Sequence, residues 1–135
     1  MIMSSSRAEF AQTRDPMKTL YNSREIADAA AEKLKVFAQP QRLMILSCLL
    51  RGERHVTEIS DLTGIGQPTL SQQLAELRRA DLVATRRDVR QIWYSLADDN
   101  VALCVRNMEA IFAGIGQPVS VTRNFSMPKT KRAKR

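Results

Sequence analysis

Five short polar side chains, Gln67, Thr69, Ser71, Gln72 and Gln73, stand just ahead of five arginines, Arg78, Arg79, Arg86, Arg87 and Arg90. The chemistry such a set can do is non-covalent. A glutamine amide carries a donor and an acceptor in one plane and can pair bidentately with adenine, while serine and threonine hydroxyls bond bases or phosphate oxygens. Guanidinium groups neutralise phosphates. Covalent chemistry is poorly supplied by comparison. The chain has one histidine, His55, and two cysteines, Cys48 and Cys104, with no CxxC spacing. It has no Gly-rich phosphate loop, no His-based nucleophile pair and no ligand cluster, so neither an enzyme nor a bound cofactor is expected. Two thiols and one imidazole cannot assemble a Cys/His zinc site within one chain, and they are too few for a disulfide framework. His55 itself reads as a surface or capping residue.

For these groups to act together, a helix must carry the amides and a hairpin the last arginines. In GIGQPTLSQQLAELRR (residues 64–79), Gln67 reads as a helix cap and Pro68 as the first helical position, where no backbone N–H is needed. Leu70, Leu74 and Leu77 follow at i, i+4 and i+7 and share a face that should be buried. Thr69, Gln72, Glu76 and Arg79 then lie roughly opposite, with Ser71 and Gln73 on the flanks. Any solvated amphipathic helix has such a pattern; the neighbouring segments distinguish this one. Residues 82–86 and 90–96 are β-branched or aromatic runs flanking Arg87-Asp88-Val89, which reads as a two-stranded wing with a basic tip. Trp93 and Tyr94 point to opposite faces, so one of them should anchor the hairpin. Upstream, Thr57 reads as the cap of a short helix, TEISDLTG, with Ile59 and Leu62 inward and Gly64 as its stop. A short helix, a glycine-bearing turn and a helix with a polar outer face make a helix-turn-helix.

The remaining segments supply the scaffold. Asn22-Ser23 caps a first helix to about Ala38, with Ile26, Ala29, Ala30, Leu34 and Phe37 at helical spacing. Pro40 opens a second, PQRLMILSCLL, ended by Gly52, in which Leu43, Ile45, Leu46, Leu49 and Leu50 place apolar groups all round, so that this helix is expected at the centre of the core. Asp98 and Asp99 start a last helix to about Phe112, with Val101, Cys104, Val105, Met108 and Phe112 in one stripe. That stripe is expected to be covered by a partner subunit, by the first helix of its own chain, or by both. The expected fold is mainly α with a two-stranded β wing: a winged helix-turn-helix of five core helices.

At 135 residues and 44% apolar content, the chain suits one packed domain. The expected division is a mobile arm at residues 1–20, a DNA-binding and dimerisation domain at 21–116, and a basic disordered tail at 117–135. No run of eighteen apolar residues marks a membrane span, and the N-terminus lacks a signal core, so a cytoplasmic location is expected. Of the net charge of +7, six cations from Arg123 onward supply most; the rest of the chain holds 15 basic against 14 acidic residues. Such a tail either tracks phosphates or is simply solvated.

Three stretches together, LKVFAQPQRLMIL (34–46), GIGQPTLSQQLAELRRADLV (64–83) and TRRDVRQIWYSL (85–96), resemble the ArsR/SmtB family of winged-helix repressors. The form IGQPTLSQQL is similar to its branch of biofilm-growth and sulfide-responsive repressors. The resemblance implies a homodimer joined through the first and last helices, repressing transcription from an AT-rich inverted repeat until an inducer loosens its grip. The family's metal sensors carry cysteines in the short helix or a histidine on the last one; residues 57–62 have no cysteine and the last helix no histidine, so no metal is expected. The sulfide-responsive branch uses a thiol on the second helix and one near the end of the last. Those positions fall here on Ser47 and Ala113, whereas the cysteines stand at Cys48 and Cys104, leaving a redox role for this pair as an alternative to structural thiols. Another alternative is a sequence-neutral DNA-coating protein driven by the tail.

Overall fold

The computed structural model describes residues 16–117; the expected tail from 118 and the first 15 residues of the expected arm lie outside them. Among the described residues, five helices pack around a small antiparallel sheet.

Helix α1 (Arg24–Phe37) begins where Ser23 accepts a hydrogen bond from the Ile26 amide at 3.1 Å. Only Phe37 of its apolar face is buried, and Leu34 stays 62% exposed. Helix α2 (Pro40–Leu50) is capped by Gln39, whose side-chain oxygen accepts from the Arg42 amide, with proline at the position that needs no N–H. Ile45 and Leu46 are fully enclosed and Leu49 nearly so, but Leu43 and Met44 reach solvent. The core therefore takes one side of α2, and the expectation of apolar burial all round it is corrected.

Residues 54–55, expected to lie in a loop, form strand β1 (Arg54–His55). Two residues are too few to show alternation, so the third strand of the sheet left no pattern in the sequence. Helix α3 (Val56–Thr63) is capped from His55 rather than Thr57, with Glu58 accepting the His55 amide proton at 3.2 Å. Gly64 ends it at φ 78°, a left-handed value that glycine adopts without steric cost. Ile59 is buried, but Leu62 is 62% exposed; Ile65, in the following turn, goes inward instead. Helix α4 (Thr69–Arg79) starts one residue later than expected, after Pro68. Leu70, Leu74 and Leu77 are buried as the spacing predicted.

Strands β2 (Val83–Asp88) and β3 (Gln91–Leu96) pair from Val83 opposite Leu96 to Asp88 opposite Gln91, leaving the two-residue turn Val89-Arg90. The turn is shorter than the three residues expected. Val89 supplies its left-handed residue (φ 60°), a place where the sequence offers no glycine or asparagine as a signal. The strand order is β1-β3-β2, with β2 on the outer edge. Tyr94 is the anchor of the expected pair, packing on the core.

Helix α5 (Asp99–Ala113) is capped by Asp98, which accepts from the Val101 amide at 3.0 Å, and Gly114 closes it in a left-handed conformation. Val101 and Val105 are buried against the core, and α2 is the element α5 packs on most extensively, not α1. Cys104 and Phe112 of the expected stripe face outward. A polar tie backs the α2–α5 contact. Arg51 donates to both Glu109 carboxylate oxygens at 2.6 and 3.0 Å, and the Ser47 hydroxyl donates to the same group. The Glu109 side chain is only 11% exposed. The hydrogen bond from Arg51 holds its carboxyl below the usual carboxylate range, against the opposing effect of burial. A depressed acid stabilises the fold fully above its unfolded value and ceases to do so as pH falls through its folded one. Glu109→Gln is expected to cost about 1–3 kcal/mol near neutral pH, with the gap to wild type shrinking once the medium is acid enough to protonate Glu109. Denaturant titrations of both proteins across the acid range measure this; a gap independent of pH would contradict it.

Candidate nucleic-acid interface

Helix α4 buries its leucines and thereby turns Ser71, Gln72, Glu76, Arg78 and Arg79 to solvent, with Thr69 and Gln73 half-buried at the edges. The Gln72 side chain has no protein hydrogen-bond partner among the described residues, so its carboxamide is wholly available, while its backbone N–H donates to the Pro68 carbonyl. Gln67 is also exposed, but its oxygen accepts from both the Ser71 amide (3.0 Å) and the Ser71 hydroxyl (2.8 Å). It thus caps the first turn from outside the helix, and its NH₂ group alone remains to meet a partner. Gln73 is tied differently. Its oxygen accepts from Arg42 Nε of α2 at 2.7 Å, and a second Arg42 nitrogen reaches the Val36 carbonyl at 3.4 Å. Recognition-helix candidate, core helix and the end of α1 are joined at that one guanidinium.

The arginines divide as well. Arg79 is paired with Glu76 one turn back on the same helix. Arg86 is gripped by Glu53 through two hydrogen bonds of 2.7 and 2.8 Å, which hold the Glu53 carboxyl below its usual range. Arg78, Arg87 and Arg90 are exposed and make no ion pair among the described residues. Ser71, Leu74, Ala75, Arg78, Arg79 and Tyr94 line an open depression between α4 and β3. Free cations therefore stand at the end of α4 and at the hairpin tip. The roles of Arg42 and Glu53 leave no mark in the sequence, because each meets a partner more than thirty residues away and no local spacing encodes that.

The cysteines are apart in character. Cys48 is half-buried, and burial pushes its thiol up from the ordinary value despite the opposing pull of Arg54. Cys104 is exposed on α5, and both thiols are free. Ser47 is bonded to Glu109, and among the described residues no three His, Cys, Asp or Glu side chains gather as metal ligands. No helix among them is long and apolar enough to cross a membrane.

Residues 39–85 match the profile of bacterial regulatory proteins of the arsR family. The chain is 41% identical over 97 residues to a biofilm growth-associated repressor of Xylella fastidiosa strain Temecula1, covering 72% of this chain and 85% of that protein. Among solved structures, the crystal structure of the transcriptional repressor BigR from Xylella fastidiosa superposes with a TM-score of 0.63 at 41% identity, over 70% of this chain and 97% of that one. The solution structure of the homodimeric winged helix-turn-helix DNA-binding domain of Mb0332 from Mycobacterium bovis superposes with a TM-score of 0.59 at 28% identity, over 68% of this chain and 89% of that one.

Proposed function

The chain belongs to the arsR family of bacterial regulatory proteins, and from that membership we propose that it is a homodimeric, sequence-specific transcriptional repressor of double-stranded DNA. The observation that carries the reading is the outward Gln72 side chain on α4, unpartnered, with Arg78 on the same helix and Arg87 and Arg90 on the hairpin exposed and without an ion pair among the described residues. Helix α4 enters the major groove with Gln72, Thr69 and Ser71 towards base edges, while the hairpin follows the neighbouring backbone. Gln67 offers its amino group, and Arg79 shares its charge with Glu76. A glutamine that reads adenine supports an AT-rich site, and two copies related by a two-fold axis read an inverted repeat. Redox control through Cys48 and Cys104 is the weaker companion reading, since a thiol pushed up by burial holds little thiolate at neutral pH.

Base and phosphate roles separate in one experiment. Gln72→Ala is expected to reduce discrimination at its base pair by about 1–3 kcal/mol while leaving the salt dependence intact. Arg87→Ala should weaken operator and random duplex alike and lower the salt slope by about one. Fluorescence anisotropy over a range of salt, with promoter-derived and random duplexes, reads both quantities. Wild-type behaviour in both variants would remove α4 and the hairpin from the interface.

A further inference from the structure

Three arginines stand on the hairpin, and one of them is already occupied. Arg86 Nε lies 2.7 Å from one Glu53 carboxylate oxygen and its terminal nitrogen 2.8 Å from the other, a bidentate fork matching the geometry of a guanidinium on a phosphate. A second terminal nitrogen is 3.5 Å from Asp88. The guanidinium carbon sits 5.6 Å from the centre of the Trp93 ring, its cross-strand neighbour, and Trp93 is met edge-on by His55 at 5.0 Å. Carboxylates thus take the edges of the guanidinium and an indole takes its face. Arg87 and Arg90, by contrast, make no ion pair among the described residues.

The geometry points to Glu53 as an internal stand-in for a DNA phosphate, a positioning residue that keeps Arg86 off the backbone and so limits sequence-neutral binding. Phosphate contacts strengthen specific and random sites together and carry no sequence information of their own. A third free arginine on the hairpin would raise affinity for every duplex and leave base-edge contacts a smaller share of the total. By holding Arg86, Glu53 leaves the hairpin two phosphate-seeking cations and lets α4 decide between sites. This rests on the chain being a DNA-reading protein, and the test separates the two claims.

Affinities for a promoter-derived operator and for random duplex are measured against salt for the full chain and four variants. Arg86→Gln is expected to keep the wild-type salt slope, whereas Arg87→Gln loses about 0.9 from it, the share of one phosphate. Glu53→Gln should steepen the slope by a similar amount, strengthen random-duplex binding several-fold and narrow the operator-to-random ratio. Asp61→Asn makes the same change in charge at an exposed acid that no arginine holds, and should leave slope and ratio near wild type. An Arg86→Gln slope as shallow as that of Arg87→Gln would overturn the assignment, because Arg86 would then be a phosphate contact. So would a Glu53→Gln protein that binds both duplexes more weakly at unchanged slope, or an Asp61→Asn protein that reproduces the Glu53→Gln effect. The Arg86→Gln comparison stands even if Glu53→Gln fails to fold. Failure of the wild-type chain to prefer operator over random DNA would instead remove the DNA-reading proposal itself.

Discussion

Leu74→Ala is expected to lower the free energy of unfolding by about 2–5 kcal/mol, the range for removing a leucine side chain from a packed interior. Leu74 is 2% exposed and sits between Leu70 and Leu77 on the inner face of α4, so it contributes both to the core and to the seat of the outward amides. Single domains hold only about 5–15 kcal/mol in total, so the loss would be a large part of the reserve. Urea titration at fixed protein concentration should show the midpoint falling with little change in slope. Operator binding should fall too at temperatures where the variant is still folded, because α4 would rest on a cavity. A loss under 1 kcal/mol would mean that α4 is loosely seated, and the orientation of Gln72 would lose its physical basis.

A second large effect concerns assembly. Phe112 is 83% exposed near the end of α5, with Ile111 and Ile115 beside it and Leu34 open on α1. A phenylalanine left that open costs nothing to change within one copy, yet in a dimer closed by these helices it would lie inside the interface. Phe112→Glu is therefore expected to leave single-chain stability nearly unchanged and to bury an unpaired charge wherever two copies meet. Sedimentation at micromolar concentration should show monomers. Operator affinity should drop by about 10²- to 10⁴-fold, since linking two half-site contacts supplies gains of that order. A variant that still sediments as a dimer would move the interface elsewhere.

The helices were legible because local signals recur in them: an apolar period throughout, a polar cap before α1 and α5, and a glycine stop after α3 and α5. Ser23 and Asp98 cap where such residues should, whereas the cap of α2 falls on Gln39, a residue type that gives no such signal. Failures came where three-dimensional position, rather than spacing, chose the outcome. In the eight residues of α3, Leu62 had the right character for the core, but the turn at Gly64 brought Ile65 inward and left Leu62 outside. β1 exists only because β3 passes beside Arg54 and His55. At the interface, residue type singled out ten candidates, and the structure sorts them by what they already hold. Gln72, Arg78, Arg87 and Arg90 are free, Gln67 and Ser71 hold each other, and Gln73 and Arg86 are held from elsewhere in the chain. Type and period reveal which groups could meet a ligand. Only the folded arrangement shows which of them have already met something else.

The outer strand of the sheet has a consequence for life at high concentration. β2 lies at the edge of the order β1-β3-β2, so one row of its backbone amides and carbonyls has no neighbouring strand. An open edge of this kind invites a strand from another molecule and, with it, aggregation. Here Arg86, Arg87 and Asp88 crowd the distal half of that edge, and all three are exposed. A second β2 laid alongside, parallel and in register, would set arginine against arginine. Arg87, which suits the hairpin to a polyanion, thus also helps keep one copy's sheet from extending into the next.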